Sequence, residues 1–200
     1  MKYKNVCLSS NYANTLSIYR IYIKLTFLFF ISQSLWNVTI AQTSNQKSTV
    51  RVTINAIDGL QYDIVRFQVR PGAKVKIILT NKSKEEHNLI VTASGARQSI
   101  VNAALRLGIK GKAMNYIPEK KEVLWTIPLL SPGETDSVTF VAPLQPGVYP
   151  YVCTMPGHGS VMYGALYVQS DGNMPEIGSD VNIPSIRRKT GSKVEMKMHH

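Results

Sequence analysis

The chain has 200 residues, enough for one domain with terminal extensions or for two small domains. It is basic, with 23 lysines and arginines against 12 aspartates and glutamates, which gives a formal net charge of +11. The basic residues are scattered rather than gathered into a patch with interleaved aromatic residues, so we expect no nucleic-acid partner.

Residues 1–41 are predicted to be a secretory signal peptide. Four basic residues precede an apolar run over 25–36, and small residues lead to a cleavage site after Ala41. Because this run is shorter than the ~20 residues of a membrane-spanning helix, we expect membrane association only if the leader stays uncleaved. The mature protein would be exported, to the periplasm or outside the cell. Its formal charge would be about +7, since the leader holds four positive charges and no negative ones.

Cleavage would also remove Cys7 and leave Cys153 as the single cysteine of the mature chain. Exported proteins normally pair their cysteines, so an odd one indicates an intermolecular bridge, or a reactive or metal-bound thiol. A metal ligand is favoured because coordination protects a thiolate from oxidation. A buried, inert cysteine is the alternative.

Residues 42–48 are predicted to be a loose linker and residues 49–169 a single β domain. Apolar and polar residues alternate between turn signals, which indicates the short strands of an antiparallel sandwich or barrel. The apolar spacing over 96–107 predicts one short helix that caps the sandwich and is closed by Gly108. Residues 170–200 are polar, so we expect a mobile tail. The predicted strands cover residues 49–56, 62–69, 74–80, 87–92, 123–126, 137–142, 148–153 and 163–169.

The most specific motif is Cys153-x4-His158-x3-Met162, in a loop between two predicted strands. With a second imidazole, available upstream at His87, these residues supply the donors of a blue-copper site, in which two histidines and a thiolate form a trigonal set and a weak axial methionine tunes the potential. Alone, His87 beside two glutamates is typical of a surface histidine, and Met162 alone is typical of core packing. The joint spacing favours copper.

Several segments resemble the cupredoxin family, whose members include azurin, auracyanin and plastocyanin. The resemblance covers about residues 50–169 in strand order and is specific in the two ligand segments. The residues that carry it are His87-Asn88, Pro132-Gly133-Glu134, Ser137-Val138-Thr139-Phe140, Pro146-Gly147, Tyr149, Tyr151, Cys153-Thr154, Pro156-Gly157-His158, Met162, Gly164 and Leu166.

The resemblance implies an all-β Greek-key sandwich with one short helical insertion and a single copper ion. The implied ligands are His87, Cys153, His158 and, weakly, Met162, with Asn88 and Thr154 around them, where Asn88 tethers the ligand loop. Two features depart from azurin: Glu86 replaces the glycine whose carbonyl is an added axial contact, and no disulfide can form after cleavage. In several members of the family a large aromatic residue follows the His-Asn pair, and here that position is Leu89.

The predicted function is single-electron transfer between redox proteins, and we expect no enzymatic activity because no substrate position is needed. A cytochrome, dehydrogenase or oxidase would dock on an apolar patch around His158 formed by Met155, Pro156 and Val161.

Two alternatives remain open. A copper chaperone or storage protein is favoured slightly by the soft donors Met196, Met198, His199 and His200 near the carboxy terminus. A cupredoxin part of a copper oxidoreductase would need further histidines for a catalytic copper, and only His199 and His200 remain for that role.

Overall fold

The structure is a computed structural model that describes residues 48–190 and 195–196. The predicted leader over 1–41 lies outside these residues, as does nearly all of the predicted linker over 42–48. The described strands are β1 (Val50–Ile57), β2 (Gln61–Tyr62), β3 (Arg66–Val69), β4 (Lys74–Asn81), β5 (His87–Thr92), β6 (Val123–Leu130), β7 (Thr135–Val141), β8 (Gly147–Val152), β9 (Tyr163–Val168) and β10 (Glu195–Met196).

These strands form a sandwich of two sheets, ordered β2-β1-β4-β7 and β10-β3-β9-β8-β5-β6. Inward-facing residues alternate along β1 and β4, as the period of two requires: Val52, Ile54 and Ala56 of β1 are fully buried with Ile77 and Leu79 of β4. The predicted Greek-key β-sandwich is therefore confirmed. The antiparallel expectation is wrong for three pairs, because β1 with β4, β3 with β9, and β10 with β3 run parallel.

The predicted strand over 62–69 is interrupted near Asp63. The Asp63 carboxylate accepts hydrogen bonds from the backbone N–H groups of Asn55 and Ile64, each over 2.7 Å. A short acidic side chain that bonds to the local backbone competes with the strand ladder, so β2 ends at Tyr62 and β3 begins at Arg66. The prediction for 123–126 is too short, because Pro128 is accommodated in β6, an edge strand.

The predicted capping helix is present as α1 (Arg97–Leu105). Its Ile100 and Val101 pack with Ile90 of β5 and Val152 of β8 on the outer face of the larger sheet. This second, smaller core fixes the helix beside the loop between β8 and β9. Among the residues that the structure describes, none of the helices combines the length and apolarity needed to span a membrane.

The segment from Ser170, predicted to be a mobile tail, makes buried contacts within residues 170–190. Asp180 is fully buried, accepts a hydrogen bond from Tyr167 over 2.7 Å and forms a salt bridge with Arg66 at 3.1 Å. Ile183 packs against Val65 and Tyr167, just before the short helix α2 (Ser185–Thr190). The polar composition of this segment does not predict such packing. A buried charge that is paired can be accommodated, so a largely polar segment can still cover a sheet.

Candidate metal centre

Strand pairing explains how His87 reaches the loop that holds Cys153. β5 and β8 are antiparallel neighbours in the larger sheet, with Ile90 opposite Val152. His87 begins β5 and Cys153 directly follows β8, so both lie at the same end of the sheet. His87 therefore reaches the ligand loop from the neighbouring strand of the same sheet.

The loop between β8 and β9 folds His158 back toward Cys153. The backbone N–H of Cys153 donates to the carbonyl of Met162 over 3.0 Å, which closes the base of the loop. At the tip, Gly157 has a φ of +85°, a left-handed conformation that residues with a side chain rarely adopt. The N–H of His158 then donates to the carbonyl of Met155 over 3.0 Å. Pro156 and Gly157 therefore lie at the tip of the turn that returns His158 toward Cys153.

Three donor atoms converge at the end of the sheet. The Sγ of Cys153 lies 3.7 Å from Nδ1 of His87 and 3.6 Å from Nδ1 of His158, and the two Nδ1 atoms are 3.2 Å apart. All three residues are buried. The fourth predicted ligand, Met162, is fully buried in the same hydrophobic core as Cys153. Its axial role stays a prediction.

The triangle of donor atoms has the size of a metal site. A point equidistant from the three atoms lies about 2.0 Å from each, in the range of metal–imidazole bonds and slightly short of metal–thiolate bonds. Two imidazoles and one thiolate in a trigonal arrangement are the donor set of a blue-copper site. The residues present therefore fit one copper ion.

Polar contacts at the outer nitrogens orient both imidazoles. Nε2 of His87 lies 2.8 Å from the hydroxyl of Ser83, and Nε2 of His158 lies 3.2 Å from the carboxylate of Glu85. The Ser83 hydroxyl also lies 2.9 Å from the side-chain oxygen of Asn81, which accepts its proton. Each histidine thus donates from Nε2, and we assign the free lone pair of each ring to Nδ1, which faces the other donors.

Burial sets the protonation of the donors when no metal is bound. The pKa of His87 is lowered to about 4, chiefly by desolvation and in part by the neighbouring His158, while Glu85 opposes the shift. The pKa of His158 is also lowered, chiefly by desolvation. Desolvation raises the pKa of Cys153 to about 12, against the opposing effect of backbone hydrogen bonds from Asn88 and Met155. At neutral pH the imidazoles are therefore neutral, and a metal must displace the thiol proton.

Asn88 and Thr154 lie beside the ligands and bond to each other, as the resemblance implies. The same pair is tied to the segment that follows α1: Asn88 Nδ2 donates to the carbonyl of Asn115 over 2.7 Å, and the Thr154 hydroxyl donates to the carbonyl of Tyr116 over 2.7 Å. Asn115 and Tyr116 both have φ near +50°, an uncommon conformation outside glycine. The segment after α1 therefore stabilises the site through the backbone carbonyls of Asn115 and Tyr116.

Helix α1 packs against the loop between β8 and β9 at Gly159. The Arg97 guanidinium donates to the carbonyl of Gly159 over 2.9 Å and stacks 3.8 Å from the ring centroid of Tyr163. A Cβ at Gly159 would lie 2.5 Å from the Val101 side chain and 3.1 Å from the carbonyl of Cys153. Only glycine lets the loop approach the helix this closely.

The predicted docking residues lie on the same loop. Val161 is 44% exposed, Pro156 is exposed and Met155 is partly buried, while His158 keeps a small exposed edge. Sequence reasoning did not identify Ser83, Glu85 or Arg97 as parts of the site. The polar run from Asn81 to Glu85, shortly before a ligand histidine, is the signal in the sequence that could have found two of them.

Comparison with known proteins decides the family. A family described as copper binding proteins, plastocyanin/azurin family, matches residues 48–169. The chain belongs to this family. The match includes all four predicted ligands. It ends directly after β9, the last strand in the matched region.

Individual relatives agree with this assignment. The chain is 38% identical over 113 residues to auracyanin-A of Chloroflexus aurantiacus, covering 54% of this chain and 67% of that protein. It is 32% identical over 124 residues to azurin-1 of Alcaligenes xylosoxydans xylosoxydans, covering 58% of this chain and 94% of that protein. The solved structure of auracyanin A, a "blue" copper protein of Chloroflexus aurantiacus, superposes with a TM-score of 0.56 at 35% identity, covering 61% of this chain and 100% of that one.

Proposed function

We propose that this cupredoxin is an exported, non-enzymatic electron carrier. The convergence of His87, Cys153 and His158 into one buried triangle carries this proposal. Bound copper supplies the one-electron chemistry by alternating between Cu(I) and Cu(II). The chain itself holds the donors in place, keeps water out and offers a surface through which electrons leave.

Rigidity is the property of the site that suits electron transfer. The three donors are fixed by paired strands, by polar contacts at the outer nitrogens of both histidines and by the Asn88–Thr154 tether. Donors that are held by packing and by surrounding hydrogen bonds move little between two charge states. A small rearrangement lowers the barrier to gaining or losing an electron.

We place the electron exit at His158. Its side chain keeps 8% exposure beside Val161, whereas His87 is 1% exposed and lies deeper. Redox encounters use small, weak interfaces, which matches a small patch of Met155, Pro156 and Val161. The partner would be a cytochrome, dehydrogenase or oxidase with an acidic face, because the mature chain keeps an excess of positive charge of about +7.

Export follows from the sequence pattern of residues 1–41 and from cysteine usage. Within the described residues, Cys153 is the free cysteine and it is buried at the proposed copper site. A thiolate bound to copper is protected in an oxidising compartment, where an exposed free thiol would not last.

A copper oxidoreductase and a copper-delivery protein fit the described residues less well. Between residues 48 and 190 the histidines are His87 and His158, and both belong to the same cluster, so this part of the chain offers no second set for a catalytic copper. Delivery of copper requires exchange of ligands, and here both rings are buried and held at their outer nitrogens. An electron carrier needs neither a second copper site nor exchange of its copper ligands.

Voltammetry of the copper-loaded protein separates these roles. An electron carrier gives a reversible one-electron wave and retains its copper through many reduction cycles. Loss of copper to a Cu(I) chelator on each reduction would instead indicate storage or delivery. The chelator should be weak enough that it leaves the oxidised protein loaded.

A further inference from the structure

The carboxylate of Glu85 contacts the outer nitrogen of His158, and the proposed function uses this contact only to hold the ring in place. We propose that Glu85 is a positioning residue, which fixes the tautomer of His158 and strengthens this imidazole as a donor to the oxidised metal. The consequence for the metal rests on the proposed copper function, whereas the effect on the tautomer does not.

The contact lies at the surface end of the site. Oε2 of Glu85 lies 3.2 Å from Nε2 of His158, and their side chains are 61% and 8% exposed, respectively. The carboxylate therefore covers the edge of the ring that would otherwise face solvent. Its own exposure means that no large desolvation penalty opposes the charge.

The loop before β5 is built to hold Glu85 in this place. The side-chain amide of Asn81 donates to the carbonyl of Glu85 over 2.7 Å and to the carbonyl of Leu130 over 2.9 Å. The backbone N–H of Glu85 donates to the Ser83 hydroxyl over 3.2 Å, and that hydroxyl also contacts His87. Both groups of the Glu85 backbone are therefore anchored to the network that orients the other ligand histidine.

The neighbouring acidic residue provides a contrast. Glu86 forms a salt bridge with Lys112 at 3.0 Å, away from the imidazoles. Two adjacent glutamates thus have equal charge but different partners, one a ligand histidine and the other a lysine. This difference supplies a matched control for any effect of charge alone.

Donation from the outer N–H to a carboxylate makes an imidazole more basic and fixes which nitrogen is free for a metal. Mutation of such partners at metal sites typically costs about 10- to 100-fold in metal affinity. The more highly charged oxidised ion gains more from a stronger donor than the reduced ion does. A tenfold preference for the oxidised ion corresponds to a reduction potential about 59 mV lower.

Two substitutions of Glu85 separate the effect of its hydrogen-bond acceptor from the effect of its charge. Glu85→Gln keeps a hydrogen-bond acceptor and removes the charge, so it should raise the reduction potential and leave the His158 tautomer unchanged. Glu85→Ala removes both, so it should also lower copper affinity by about 10- to 100-fold and give mixed tautomers. Glu86→Gln and Glu86→Ala should leave all three quantities near their wild-type values. Glu85 is exposed and Glu86 is half-buried in the same loop, and neither side chain packs in a core, so these variants should fold.

The tautomer of His158 is measured on the metal-free protein by nitrogen NMR of the imidazole ring. The copper affinity and the reduction potential are measured on the copper-loaded protein. Equal shifts of potential in Glu85→Gln and Glu86→Gln would overturn the proposal, because net charge alone would then account for them. A wild-type tautomer and wild-type affinity in Glu85→Ala would overturn it as well. If the wild-type protein lacked a reversible wave, the proposed function would fail, while the tautomer in the metal-free protein would still test Glu85.

Discussion

Asn88 and Thr154 form two reciprocal hydrogen bonds, with Asn88 Nδ2 donating to the Thr154 hydroxyl and the Thr154 N–H donating to Asn88 Oδ1, each over 2.8 Å. His87 directly precedes the first residue and Cys153 directly precedes the second. The pair therefore locks the two ligand-bearing segments in one register, before any metal binds.

Asn88→Ala should lower the free energy of unfolding of the metal-free protein. The change leaves the buried Thr154 N–H without its acceptor, which costs about 1–3 kcal/mol. Urea denaturation measures this difference. Asn102→Ala, at an exposed position of α1, is the matched control and should be nearly neutral. An equal loss in the two variants would show that the Asn88–Thr154 tether does not stabilise the fold.

Stability of the metal-free protein should fall as the pH drops from about 6.5 to 4. The pKa of His87 is about 4 in the folded protein, against 6.5 when unperturbed, so in this window the unfolded chain takes up a proton that the folded one does not. The loss in the free energy of unfolding is up to about 3 kcal/mol. There is no loss above the pKa of His87 in the unfolded chain, and the loss is complete below its pKa in the folded protein. It should be smaller in His87→Gln, as measured by urea denaturation at a series of pH values. An unchanged pH dependence in that variant would contradict burial of a neutral His87.

The buried salt bridge between Arg66 and Asp180 should matter for stability and not for the metal. Asp180→Asn leaves the Arg66 charge buried without its full counter-charge, which costs roughly 3 kcal/mol. Copper binding and reduction potential should be unchanged, because the pair lies in the core around Val65 and Tyr167 rather than at the ligand loop. Asp171→Asn, an exposed change in the same segment, is the control. Equal stability of the two variants would favour the mobile tail that the sequence predicts.

Local sequence patterns predicted much of this site, and long-range pairing explains what they missed. Cys153, His158 and Met162 lie within one hairpin loop, so their spacing reports their proximity directly. The contact of Glu85 with His158 depends on the pairing of β5 with β8, whereas Ser83 reaches His87 through the conformation of the loop just before β5. Asp180 was missed for the same reason, since its partner Arg66 is 114 residues away.

Met162→Leu should retain copper and raise the reduction potential. An axial thioether is a weak ligand that tunes the potential, and Cu(II) loses more than Cu(I) when a donor is removed. Leucine fills nearly the same buried volume, so the core should tolerate it. Voltammetry gives the potential and metal analysis the copper content. Loss of copper in Met162→Leu, with normal binding in His87→Ala, would contradict the ligand assignment.

The most direct test of the copper site is the visible absorption spectrum of the copper-loaded, oxidised protein, with and without Cys153. Charge transfer from the Cys153 thiolate to Cu(II) should give an intense visible band, since the sulfur lies within 3.7 Å of both imidazole donors. Cys153→Ser should lose this band. A colourless loaded wild type, or the same band in Cys153→Ser, would show that Cys153, His87 and His158 do not form a blue-copper centre.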